Sequence, residues 1–105
     1  MTIPPLSEGA KLPYKSTPVF DEVTLPAALR KAHNTKPGTW GIIRILEGEV
    51  RYVIEETSAE MILTPARPGL VLPGQLHHVE PLGRMRMLVE FYDHEPVMSE
   101  GAAGA

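Results

Sequence analysis

TWGIIRILEGEVRYVIEE, residues 39–56, decides the fold class. It holds two runs rich in Ile, Val and Tyr on either side of Glu47-Gly48, and such runs bounded by a turn residue read as β-strands. A two-residue loop at Glu47-Gly48 makes the segment a hairpin, with Gly48 supplying positive φ. Ile45 then faces Val50, Ile43 faces Tyr52, and Arg44 meets Arg51 on the other side. That last pair is repulsive unless acids bridge it.

Working outward, the same short-strand pattern continues. Thr17–Phe20 starts an edge strand after Pro18, which cannot donate to a ladder. Strands follow at Glu60–Thr64, Leu70–Leu72, His77–Glu80 and Met85–Tyr92, separated by the turns PARPG (65–69), Pro73-Gly74 and Pro81-Leu82-Gly83. In the last strand Met85, Met87, Val89 and Phe91 share one face and Arg84, Arg86 and Glu90 the other, where Glu90 and Arg86 form an exposed pair. Pro26–Ala32 (PAALRKA) is short enough to be a turn or two turns of helix. The expected core is Ile43, Ile45, Val50, Tyr52, Ile62, Leu70, Leu72, Val79, Met87, Val89 and Phe91.

Composition narrows the class further. The 105 residues contain 11 prolines and 9 glycines, more punctuation than long helices tolerate. A hydrophobic fraction of 43% excludes disorder. The formal net charge of −3 gives no basic footprint for nucleic acid. There is no cysteine, so disulfides and thiolate metal sites are excluded. No signal sequence or membrane span is visible, and the chain reads as a cytoplasmic, all-β sandwich or small barrel. Its organisation is an N-terminal arm over 1–15, one domain over 16–95, and a small, polar C-terminal tail over 96–105.

Four histidines carry the chemistry: His33, His77, His78 and His94. His77 follows the Pro73-Gly74 turn, which would hold its imidazole at a barrel mouth, where a neutral ring binds transition metals. His78 and Glu80 point to the opposite face and read as a solvated pair. Glu80 reaches the site only if a bulge re-aims it, and Trp40 either lines the pocket or caps the core.

The segments KAHNTKPGTWG (31–41) and P-x-x-x-H-x-V-E (73–80), with the apolar strand Leu88–Tyr92, resemble the tellurite-resistance TehB-like (YeaR-like) family of small cupins. The resemblance runs from about Ser16 to Asp93. It implies a cupin-type double-stranded β-helix, a small jelly-roll barrel with a pocket open at one end. It also implies a divalent transition metal (zinc, nickel or iron) held by His33 and His77, with Trp40 and Glu80 beside it. A small-molecule or anion ligand, a homodimer, and no nucleic-acid or membrane partner complete the expectation. The alternatives are a metal-dependent dioxygenase or isomerase and a metal-free interaction module. The sequence departs from the cupin pattern at three positions. The usual glutamate ligand falls on Gly41, and the paired histidines fall on Asn34 and Lys36. In the family the domain also occurs fused to a methyltransferase, whose glycine-rich cofactor loop this sequence lacks.

Overall fold

A computed structural model of the chain describes residues 12–97. Eight strands run in order β1 (Lys15–Ser16), β2 (Phe20–Asp21), β3 (Trp40–Glu47), β4 (Val50–Ile54), β5 (Ala59–Leu63), β6 (Gly69–Val71), β7 (His77–Pro81) and β8 (Arg86–Tyr92). PAALRKA contributes one 3-10 turn at Ala27–Arg30. The fold is all-β. Most of the expected N-terminal arm and C-terminal tail lie outside the described residues, but Lys15 pairs with Phe91 in β8.

All pairings are antiparallel, in two sheets. One has the order β1-β8-β3-β6, with β2 also on β8; the other has the order β5-β4-β7. The sheets share one core, built from Ile43, Ile45 and Met87 on one side and Val50, Tyr52, Ile54 and Val79 on the other. Among the described residues no ladder closes the two sheets on each other. The structure therefore establishes a two-sheet β architecture rather than a hydrogen-bonded barrel.

The expected hairpin over residues 39–56 does not form. β3 pairs with β6 and β8, whereas β4 pairs with β5 and β7. Ile43, Ile45, Val50 and Tyr52 all face inward, but they meet across the core and not across a ladder. The two arginines supply the physical reason. Paired in one sheet they would repel; placed in different sheets each finds acids. Arg44 binds Glu90 at 3.0 Å, and Arg51 binds Glu80 at 2.9 Å and Glu60 at 3.6 Å. Glu90 thus pairs with Arg44 and not with Arg86.

A bulge between Ile45 and Glu47 bends β3 just before the crossing. Gly48 then makes the step with φ +79°, packed so tightly that a Cβ there would overlap the Arg84 carbonyl oxygen and lie 3.0 Å from Met85 Cα.

Six of the eleven expected core residues are buried: Ile43, Ile45, Val50, Tyr52, Val79 and Met87. The register differs in β5 and β6, where Leu63 and Val71 point inward, leaving Ile62 exposed and Leu70 half-buried. In β6 the inward position before Val71 is Gly69, where a Cβ would come 2.9 Å from Leu63 Cδ1. Leu72 lies beyond β6 and is half-buried. Val89 and Phe91 do face inward, but a cavity opens beside them. Among the described residues no helix is long and apolar enough to cross a membrane.

Candidate functional site

The cavity, about 310 Å³, lies between the sheets at one end of the sandwich. Its floor is apolar: Ile43 from β3, Val71 from β6, Val79 from β7, and Met87, Val89 and Phe91 from β8. At Gly41 the floor would accept a Cβ in ordinary contact, 3.4 Å from Val71 Cβ and 3.7 Å from Val89 Cγ1. The polar rim comes from Lys15, Thr17 and the loop His33–Asn34–Thr35–Lys36, together with His77.

Two Pro-Gly turns shape this rim. Thr39 N–H donates to the Lys36 carbonyl (3.1 Å) and Gln75 N–H to the Leu72 carbonyl (3.2 Å). In both turns Pro stands second and Gly third, with Gly38 at φ +79° and Gly74 at φ +73°, the signature of a type II turn. Gly74 N–H also donates to the Thr35 carbonyl at 3.1 Å and ties the turns together.

His33 and His77 are brought together. Their backbones exchange two hydrogen bonds of 2.9 Å, His33 N–H to the His77 carbonyl and the reverse. Directly opposed residues of an antiparallel bridge project their side chains to the same side, and the ring centroids are 4.1 Å apart. His77 is 4% exposed and stacks edge-on to Tyr52. Burial, reinforced by the neighbouring His33, lowers its pKa from 6.5 to about 4, so the ring is neutral near pH 7. Tyr52, fully buried behind it, donates its hydroxyl to the Leu70 carbonyl at 2.7 Å.

Trp40 and Glu80 are not part of the cavity wall. Trp40 opens β3 opposite Tyr92. No bulge re-aims Glu80; it stays on the outer face of β7, where it accepts from His78 Nε2 at 2.7 Å. Glu55 engages the other nitrogen of His78, and these carboxylates raise the His78 pKa. Hydrogen bonds from His78 and Arg51 lower that of Glu80. The strand alternation of HHVE anticipates this division, with His77 inward and His78 and Glu80 outward.

The chain matches the model of the TehB-like domain over residues 15–89. It belongs to the TehB-like family. Among curated relatives, two strains of Haemophilus influenzae (10810 and KW20 Rd) carry a "Probable S-adenosyl-L-methionine-dependent methyltransferase TehB" that is 39% identical over 74 residues, 66% of this chain. That stretch is 26% of each relative, so the chain spans about a quarter of their length. The crystal structure of TehB from Haemophilus influenzae superposes with a TM-score of 0.70 at 34% identity, covering 76% of this chain and 30% of that one. A protein of Escherichia coli K12 shares the fold, with a TM-score of 0.73 at 18% identity over 94% of this chain and 96% of its own.

These findings correct the expectation of a metal-binding cupin. The relatives are named for S-adenosylmethionine-dependent methyl transfer and not for a metal activity. Among the described residues no group of three His, Cys, Asp or Glu could hold a metal ion. The physical reason lies in the residues themselves. The positions at which a cupin would place ligands all line the cavity, but they hold Asn34, Lys36, Gly41 and His77. Asn is a weak ligand, Gly offers no side-chain donor, and the Lys ammonium is a cation that repels one. His33 and His77 alone fall short of the three or four ligands of a stable site.

Proposed function

We propose that this chain serves S-adenosylmethionine-dependent methyl transfer as the domain that seats the methyl acceptor, in the cavity between its sheets. Membership of the TehB-like family supports the reaction class, and the cavity lining supports the acceptor side of it. The lining does not fit the methyl donor. S-adenosylmethionine carries a sulfonium cation and a ribose diol, groups usually met by carboxylates. Lys15, Lys36, His33 and His77 stand here, and among the described residues the wall has no Asp or Glu. Such a wall suits a small molecule with an apolar body and a polar end directed at the histidines. In this reading the donor binds to a separate methyltransferase domain, and the chain's own residues orient the acceptor and exclude water around it.

Two finer readings belong to the same proposal. The winding supports a cupin-type double-stranded β-helix: β3–β4 crosses from one sheet to the other, and β7–β8 crosses back alongside it, antiparallel in both sheets. A homodimer in the cytoplasm, in a tellurite-resistance setting, follows the family resemblance; light scattering of the purified chain reads the first part.

The observation that carries the proposal is the cavity lining, an apolar floor under a rim of histidines and lysines. Gly41 in that floor accepts a Cβ in ordinary contact, so a larger side chain there would fill the cavity. The test grafts this chain in place of the matching segment of the Haemophilus influenzae methyltransferase, with labelled S-adenosylmethionine and benzenethiol as acceptor. Gly41→Leu in the graft should raise KM for the thiol at least about tenfold and leave KM for S-adenosylmethionine unchanged. A rise in the S-adenosylmethionine KM, or no change in either, would show that the cavity is not the acceptor seat.

A further inference from the structure

The two imidazoles of the cavity are anchored in the same way. His33 donates from Nδ1 to the Lys31 carbonyl and His77 from Nδ1 to the Gln75 carbonyl, each at 2.9 Å and each to the residue two positions earlier. A carbonyl oxygen can only accept, so each Nδ1 carries its hydrogen. In the neutral ring the other nitrogen, Nε2, then holds a lone pair and can only accept. The backbone bridge sets these two rings side by side, with centroids 4.1 Å apart, on the wall of an otherwise largely apolar cavity. A second proton on both rings would place two cations in contact.

Resting on the acceptor-seat reading above, we infer that the His33–His77 pair recognises a neutral hydroxyl or thiol X–H donor on the bound molecule and thereby discriminates the unmethylated acceptor from its methylated product. Methylation at that atom replaces the hydrogen by carbon. The hydrogen donated to an Nε2 lone pair is lost, and a methyl group stands in its place. A site built to hydrogen-bond an O–H or N–H rejects the analogue lacking it more strongly than an apolar pocket rejects an extra methylene. The discrimination would reside in side-chain nitrogens held in place by main-chain carbonyls.

Phenol and anisole are suitable probes, because they share a ring and differ by O–H against O–CH3. Each is titrated into the 15N-labelled 105-residue chain while long-range 1H–15N spectra follow the histidine ring nitrogens. The free protein should show both His33 and His77 with hydrogen on Nδ1. Phenol should shift their Nε2 signals and bind at least about tenfold more tightly than anisole. The phenol response should vanish in Gly41→Leu, whose fold is checked by an unchanged amide spectrum away from the cavity. Hydrogen on Nε2 of either ring in the free protein, no phenol response, or equal affinity for the two probes would each overturn the inference. Equal affinities that both disappear in Gly41→Leu would remove donor selection and leave the acceptor seat standing. The seat itself fails separately, in the thiol KM of the graft.

Discussion

Replacing Gly48 by Ala tests the crossing between the sheets. Among the described residues four glycines have positive φ: Gly38, Gly48, Gly74 and Gly83. An alanine at any of them carries the left-handed strain of a Cβ against its own carbonyl, about 1–2 kcal/mol. At Gly38 and Gly83 nothing lies within 4 Å of the added Cβ, so that strain is the whole effect. At Gly48 the Cβ overlaps the Arg84 carbonyl oxygen and presses on Met85, at 3.0 Å from Cα and 3.1 Å from Cβ. Met85 is fully buried, and its N–H donates to Glu22 Oε1 at 3.1 Å, so the backbone cannot move aside freely. Overpacking of this kind adds about 1–3 kcal/mol. The total for Gly48→Ala is then about 2–5 kcal/mol, a large part of the roughly 5–15 kcal/mol that holds a domain together. Urea unfolding of Gly38→Ala, Gly83→Ala and Gly48→Ala reads the difference directly, with m-values confirming a common two-state transition. A Gly48→Ala loss within about 0.5 kcal/mol of the other two would refute the reasoning. It is the result expected if Gly48 sat in the open turn of a hairpin.

Tyr52→Phe strips the half-buried Leu70 carbonyl of its hydroxyl donor and should lower stability by about 0.5–1.5 kcal/mol in urea; no measurable loss would mean that water replaces the bond. Stability against pH should form a dome with two separately assignable limbs. On the acid side the unfolded chain protonates His77 near its ordinary 6.5 while the folded ring resists to about 4, so stability falls as pH drops through that window and His77→Gln flattens it. On the alkaline side the raised His78 pKa makes its ion pairs with Glu55 and Glu80 fully stabilising below 6.5 and lost as pH climbs through the raised value. His78→Gln should flatten that limb alone, and thermal melts at stepped pH that leave either limb unmoved in its own variant would contradict the assignment.

The all-β class, seven of the eight short strands and the inward set of β8 were legible in the sequence because they depend on local chemistry. Pro-Gly pairs end strands wherever they occur, and alternation along Met85–Phe91 sorts side chains to two faces whatever the neighbouring strand is. The same holds for His77 facing inward and His78 outward. Which strand lies beside which is not a local property. TWGIIRILEGEVRYVIEE satisfies a hairpin and a crossing equally in its apolar pattern. The choice rests on Glu90 and Glu80, distant in sequence, which with Glu60 separate Arg44 from Arg51, and on Arg84 and Met85 closing over Gly48. Faces in the three-residue β6 were likewise undecidable, since Leu70, Val71 and Leu72 are all apolar and only the crowding of Leu63 on Gly69 selects Val71. The site divides the same way. Its residue types were visible, and the carbonyls that fix the two rings lie only two residues before each histidine. But the backbone bridge that joins His33 to His77, and the cavity wall where Gly41 meets Val71 and Val89, arise from contacts between segments thirty or more residues apart.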